Sequence, residues 1–155
     1  MVKMIIDITD IKKYIGQEID ASRWVEIPQS RVNKFAEATG AFQWIHMDEE
    51  RAKEELPAGK TIIQNFLLVS LIPQLFDEIV EFSGLKYGLN RGANNIQFLE
   101  PLPTGSRIRI RLKLSKLQYV DQRGLTAVFS IIMERDGGDK PILAMELQLL
   151  LVAAG

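Results

Sequence analysis

The sequence of 155 residues has no cysteine and a single histidine, His46. The lack of cysteine excludes disulfides, thiolate nucleophiles and cysteine-based metal sites. One histidine is too few for a histidine-rich metal centre, and the carboxylates show no recognisable ligand spacing, so no metal and no cofactor is predicted. The 19 basic and 20 acidic residues leave a formal net charge of −1, which argues against a surface for nucleic acid or an anionic membrane.

Internal repeats, low-complexity segments and long uninterrupted apolar runs are also lacking. Residues 1–10 do not contain a basic segment followed by an apolar run, so no signal peptide is predicted and we expect a cytoplasmic protein. The chain length and the hydrophobic content of 46% suit one globular domain, residues 1–155.

The chain is predicted to be organised around residues 61–82, TIIQNFLLVSLIPQLFDEIVEF. Apolar residues recur there at helical spacing around most of the circumference, which predicts a helix buried on nearly every side. The stretch contains too many polar residues to span a membrane. Pro73 lacks an N–H group, so a kink is expected near Val69 and Ser70.

The first half of the chain is predicted to contain, in order, a helical lead-in at 8–14, a strand at 18–27, a helix at 28–39, a loop at 41–47 and a helix at 48–55. Gly40 is placed as the left-handed stop of the longer helix. Asp48 is placed as the N-cap of the shorter one, because its carboxylate can accept from exposed backbone N–H groups.

The second half changes to the period of two that is typical of strands with one buried face. Strands are predicted at 87–98, 106–114, 125–133 and 145–151. Gly88 and Gly92 indicate a bulge, or a close approach of backbone or ligand, in the first of them. A basic row, Arg107, Arg109, Arg111 and Lys113, is interpreted as a solvated strand face; contact with the phosphates of a nucleotide-bearing ligand is the alternative.

This order of elements predicts an α+β fold in which five or six antiparallel strands wrap one long helix, the hot-dog arrangement. Residues 35–48, FAEATGAFQWIHMD, resemble the signature of MaoC-like (R)-specific enoyl-CoA hydratases, enzymes of fatty acid metabolism, in their NodN-like branch. Residues 59–73 resemble the start of that family's central helix, and residues 87–91 and 98–107 resemble its first strand and the turn into its second.

The resemblance implies a site for acyl-CoA or acyl-carrier thioesters. In the family, an aspartate directly after Thr-Gly and a histidine five residues later act on one water that adds to a trans-2-enoyl thioester. His46 matches the histidine, but the aspartate position is Ala41. The family's His-Gly pair at the helix start, whose glycine N–H polarises the thioester carbonyl, is replaced by Gln64 and Asn65. The resemblance implies further substrate-binding positions at Gly40, Gln43, Trp44 and Ser70.

Three functional hypotheses follow, because Ala41 cannot exchange a proton. The first is a hydratase or dehydratase scaffold with impaired activity, and the second is a non-catalytic protein that binds acyl thioesters. The third is a scaffold whose pocket has been redesigned. A hot-dog thioesterase is a further alternative, but it needs a carboxylate near the thioester and none is evident from the sequence.

A twofold homodimer is expected, since a long edge strand exposes unpaired backbone groups. For Ser70, the hydroxyl is expected to bond the carbonyl one turn back rather than a ligand.

Overall fold

The computed structural model describes residues 2–155. The strands are β1 Met4–Asp7, β2 Glu18–Ala21, β3 Val25–Glu26, β4 Val80–Ser83, β5 Leu85–Phe98, β6 Arg107–Tyr119, β7 Gly124–Arg135 and β8 Pro141–Ala153. The α-helices are α1 Gln29–Thr39, α2 Trp44–Met47, α3 Glu49–Glu55 and α4 Asn65–Ile79, and a 3-10 helix spans Ile8–Tyr14.

The buried helix is present, but it is shorter than predicted. α4 has 15 residues and is about 22 Å long at 1.5 Å per residue. It buries the following side chains: Leu67, Leu68, Leu71, Ile72, Leu75, Phe76 and Ile79. Residues 80–83 leave the helix as β4, which pairs in parallel with β1. The predicted helical extent of 61–82 was therefore wrong at both ends. The Ile62 and Ile63 N–H groups donate to the Ile45 and Leu102 carbonyls, and β4 pairs with β1; such pairing with distant segments is invisible to local periodicity.

The first half of the chain follows the prediction with two differences. The 3-10 helix, α1 and α3 lie where helices were expected, and Gly40 ends α1 with φ +76°. The single strand expected at 18–27 is divided into β2 and β3 because Ser22 interrupts the ladder. Its backbone N–H donates to the Ile110 carbonyl at 2.8 Å, and its hydroxyl accepts from the Ile110 N–H at 3.0 Å. The loop expected at 41–47 also contains a helical turn, α2.

The main sheet has six strands, in the order β2, β6, β7, β8, β5, with β3 also pairing with β6. All of its pairings are antiparallel, as predicted. The buried face includes Ile108, Ile110, Leu112 and Leu114 of β6, which join the same core as α4. β5 shifts register beside Gly92, which confirms the expected bulge. β5 is an edge strand, and its free edge lies at one end of the sheet.

The three arginines of the basic row on β6 form ion pairs with carboxylates. Arg107 pairs with Asp136 at 2.7 Å, and Glu134 accepts from Arg109 at 2.8 Å and from Arg111 at 2.9 Å. Partial burial raises the pKa of Glu134, but the hydrogen bonds from the two arginines lower it by more, so the net pKa lies below its ordinary value of 4.5. These contacts favour a solvated, ion-paired strand face over a phosphate site. In residues 2–155, no helix is long and apolar enough to cross a membrane.

Candidate active site

A cleft of about 690 Å³ lies at the N-terminal end of α4. Its size is in the range that small-molecule sites occupy. Most of its lining is apolar or aromatic, with a few polar groups. The lining residues are Phe35, Thr39, Ala41, Gln43, Ile45, His46, Ile62, Ile63, Gln64, Asn65, Phe66, Phe98, Glu100 and Pro101. The cleft therefore brings together the turn after α1, the start of α4 and the end of β5.

His46 is half-buried and oriented by the backbone of the opposite segment. Its ring Nδ1 lies 2.6 Å from the Ile62 carbonyl oxygen. A carbonyl can only accept, so Nδ1 carries the proton, and in the neutral ring Nε2 presents a lone pair. The Ile62 N–H donates in turn to the Ile45 carbonyl at 2.8 Å. Two hydrogen bonds to the backbone of Ile62 therefore hold α2, the helical turn that carries His46.

Gln29 adds a side-chain connection to the same turn. Its Nε2 donates to the His46 carbonyl at 2.7 Å and to the Asn33 Oδ1 at 2.9 Å. Its Oε1 accepts from the Thr61 hydroxyl at 2.5 Å. Thr61 is buried and also contacts the Thr104 hydroxyl at 2.7 Å. Gln29 thus joins the histidine turn to the segment that leads into α4.

The start of α4 presents backbone donors to the cleft. The first N–H groups of a helix lack intrahelical partners and lie at the positive end of the helix dipole. Gln64, the N-cap, has no side-chain capping bond; its Nε2 donates instead to the Val32 carbonyl at 3.0 Å. Its Oε1 is buried without a hydrogen-bond partner in the part of the chain that the structure describes. Asn65 is the first helical residue and lines the cleft.

Five of the sequence-predicted site residues line the cleft, namely Ala41, Gln43, His46, Gln64 and Asn65. Gly40, Trp44 and Ser70 lie outside its lining. Gly40 forms the C-cap of α1, and Trp44 packs under the Arg51 guanidinium, 3.8 Å from the ring centroid. The Ser70 hydroxyl donates to the Phe66 carbonyl one turn back, at 2.7 Å, as expected. It therefore bonds to the backbone of its own helix.

Glu100 and Gln29 are the residues that sequence reasoning missed. Glu100 is the acidic residue among those that line the cleft, although no carboxylate was evident from the sequence. Residues 98–107 are predicted as a strand end and a turn, and local spacing gives no sign that this turn lines the same cleft as His46. The position of this turn at the cleft depends on backbone pairing of residues 61–63 with residues 102–104, which has no local sequence signal.

The arrangement can bind a polar carbon–oxygen group at the helix start and a water beside the imidazole. Apolar side chains around them suit a hydrocarbon substituent. Among residues 2–155, no group of three or more His, Asp and Glu side chains is arranged to hold a metal ion. A second cleft, of about 430 Å³, lies along the C-terminal half of α4. The histidine and the helix start both belong to the first cleft, which is therefore the better candidate for chemistry.

A family model described as MaoC like domain matches residues 10–133. The chain belongs to the MaoC-like family. This MaoC-like chain is 36% identical over 139 residues to 3-hydroxyacyl-thioester dehydratase Z of Mycobacterium tuberculosis, a match that covers 90% of this chain and 91% of that protein. It is 34% identical over 139 residues to nodulation protein N of Rhizobium leguminosarum bv. viciae, covering 89% and 86% of the two chains.

The MaoC-like chain is also similar to a solved structure described as an (R)-hydratase from A. caviae involved in PHA biosynthesis. The TM-score is 0.69 with 18% sequence identity, and the match covers 87% of this chain and 94% of that chain. This likeness shows the hot-dog fold. The predicted fold and the predicted resemblance to MaoC-like and NodN-like proteins are both confirmed.

Proposed function

We propose that this chain binds acyl thioesters in the cleft at the start of α4 and adds water to, or removes it from, the thioester slowly. The observation that carries the proposal is the convergence of His46, Ala41 and the α4 N-terminus on one cleft of about 690 Å³. The relative that is 36% identical is a 3-hydroxyacyl-thioester dehydratase, which belongs to the same class of reaction.

The thioester carbonyl is proposed to lie against the backbone N–H groups at the start of α4. Hydration moves negative charge onto that oxygen, and fixed donors in a partly desolvated site stabilise it. The apolar lining, including Phe35, Phe66 and Phe98, would contact the acyl chain. Asn65 narrows the space beside the carbonyl, since it has a side chain where the family pattern has glycine.

His46 is proposed to hold the reacting water. With Nδ1 donating to the Ile62 carbonyl, the Nε2 lone pair of the neutral ring can accept a hydrogen bond from water. The family pattern has an aspartate at position 41, and Ala41 has no group that transfers a proton. Loss of one positioned proton-transfer group typically slows a reaction by about 100- to 10,000-fold, or about 3 to 5 kcal/mol of barrier.

The test is hydration of crotonyl-CoA by four chains: the parent, Ala41→Asp, Asn65→Gly and the double variant. Ala41→Asp is expected to raise kcat/KM at least about tenfold. The double variant should exceed the product of the separate gains, because both changes act on one bound thioester. Ala38→Asp is the matched control, since Ala38 is exposed on α1 and lies outside the cleft lining; it should leave the rate unchanged.

If the double variant binds crotonyl-CoA but hydrates it no faster than the parent, the cleft is not a hydratase site. The non-catalytic binding protein or the redesigned scaffold would then be the better description. Release of free CoA thiol without loss of the conjugated double bond would instead favour thioester hydrolysis, for which Glu100 now supplies a carboxylate in the cleft.

The expected homodimer is proposed to form through β5. This strand has 14 residues and lies at one end of the sheet, where Tyr87 and Leu89 are 50% and 55% exposed. Pairing of two β5 edges would satisfy backbone groups and cover these side chains. Sedimentation at micromolar concentration should show about twice the chain mass of 17.6 kDa; a species of 17.6 kDa alone would refute the proposal.

A further inference from the structure

Addition of water across a carbon–carbon double bond requires a group that takes a proton from the water and a group that returns one to carbon. His46 can hold the water through Nε2, but Nδ1 is engaged by the Ile62 carbonyl, so the neutral ring has one nitrogen left for the water. The side chain of Ala41 has no group that can transfer a proton. A second group within reach of the same water would complete the reaction, and the cleft contains a carboxylate.

Glu100 is placed in the cleft by a rigid segment. β5 ends at Phe98, and the Leu99 N–H donates to the Ile142 carbonyl at 2.9 Å. Pro101 follows Glu100 directly and fixes its own backbone angle. The backbone on both sides of Glu100 is therefore held, and the side chain extends from an anchored position.

The segment after Glu100 is tied to the one that leads into α4. The Ile63 N–H donates to the Leu102 carbonyl at 2.8 Å, and the Thr104 N–H donates to the Thr61 carbonyl at 2.8 Å. Ile62 lies between Thr61 and Ile63, and its carbonyl accepts a hydrogen bond from the His46 ring. One set of backbone hydrogen bonds thus fixes the positions of both Glu100 and His46 at the cleft.

Glu100 is also not engaged elsewhere in the part of the chain that the structure describes. It forms neither an ion pair nor a side-chain hydrogen bond within residues 2–155, whereas Glu134 on β7 accepts from two arginines. An exposed carboxylate without an internal partner can accept a hydrogen bond from a bound water.

We propose that Glu100 is the proton-transfer residue of this chain, in place of the carboxylate missing at Ala41; the proposal rests on the function proposed above. In the hydration direction, the Glu100 carboxylate takes a proton from the water as the water oxygen bonds to C3. The electron pair of the C2–C3 double bond moves into an enolate at the thioester. Glu100 then returns the proton to C2, while the second water hydrogen, held by His46 Nε2, stays on the new hydroxyl. Both side chains end as they began.

The experiment compares the parent with Glu100→Gln, Glu100→Asp and the double variant Ala41→Asp with Glu100→Gln. Each is assayed with crotonyl-CoA for loss of the conjugated double bond and for release of free thiol, and each is titrated with butyryl-CoA to measure binding. Glu54→Gln, on exposed α3, is the control for the change of charge. Glu100→Gln should lose about 100-fold or more in kcat with butyryl-CoA affinity within threefold of the parent.

Two further results are expected. Glu100→Asp should retain part of the rate, and Ala41→Asp should restore activity to Glu100→Gln. If the parent and Glu100→Gln hydrate crotonyl-CoA at the same rate, the proposal for Glu100 is overturned. If Ala41→Asp is nevertheless faster than the parent, the proposed function of the cleft still stands. Thiol release as the main reaction also overturns the proposal for Glu100. If butyryl-CoA does not bind to the parent, both proposals fall.

Discussion

Replacement of Gln29 by methionine tests whether side-chain hydrogen bonds position His46. Methionine has a similar length and fills the same space, but it can neither donate to the His46 carbonyl nor accept from Thr61. The change removes the bonds of 2.7 Å to His46, 2.9 Å to Asn33 and 2.5 Å from Thr61. It leaves Thr61 with its contact to Thr104.

The size of the effect follows from the number of bonds and their burial. A typical intramolecular hydrogen bond contributes about 0.5 to 1.5 kcal/mol. The half-buried bond to Asn33 joins two residues one turn apart on α1, so its contribution to the unfolding free energy is taken at the lower end, about 0.5 kcal/mol. The expected loss of unfolding free energy is about 1.5 to 3.5 kcal/mol. For a chain of this length, each kcal/mol lowers Tm by about 2 to 4 °C.

The assay is urea denaturation of the parent, Gln29→Met and Gln17→Met. Gln17 makes a single exposed bond to the Lys13 carbonyl at 3.1 Å, so its replacement should cost less than about 0.5 kcal/mol. Since His46 is the sole histidine, imidazole NMR signals belong to it without assignment, and Gln29→Met should perturb them. Equal stability of the two variants, with unchanged imidazole signals, would refute the reasoning.

Three other predictions concern stability. Ile72→Ala should lower the unfolding free energy by about 2 to 5 kcal/mol, because Ile72 is 1% exposed at the centre of the core; urea denaturation measures it, and a loss below 1 kcal/mol would contradict the packing. Asp48→Ala should cost about 1 kcal/mol, because its carboxylate accepts from the Arg51 N–H at 3.0 Å; Asp139→Ala, in a turn, serves as the control. Glu134→Gln should destabilise the chain at pH 7 by about 1 kcal/mol. Because the folded-state pKa of Glu134 lies below 4.5, this difference should be full above pH 4.5 and disappear as the pH falls through the lower folded value; a difference that persists at pH 2 would contradict it.

The fold was largely predictable because most of its elements carry their own periodicity. The alternation of Ile108, Ile110 and Leu112 with arginines determines which face of β6 is buried, and Gly40 marks the end of α1 by its positive φ. Elements that depend on distant partners were not predictable. β1 and β4 each have four residues, too few for a pattern, and they exist because they pair with each other.

The candidate site was predictable only where it is continuous in sequence. The spacing from Ala41 to His46 and the match of Gln64 and Asn65 to the family's His-Gly pair came from the resemblance, and these residues line one cleft. Gln29 and Glu100 reach that cleft from segments far along the chain. No local spacing relates them to His46, so their contribution became visible only when the backbone pairing was known.

The parallel pairing of β1 with β4 has a consequence for how the chain folds during synthesis. Met4 pairs with Val80 and Asp7 with Ser83, so the first strand must wait until α4 has left the ribosome before it finds a partner. Until then Ile6 and Ile8, which end 2% and 8% exposed, remain in water. Contacts of such large sequence separation form slowly because the intervening loop must close first. We therefore expect residues 4–8, although they are synthesised before α4, to be among the last to fold, and nascent chains to be most prone to aggregation in that interval.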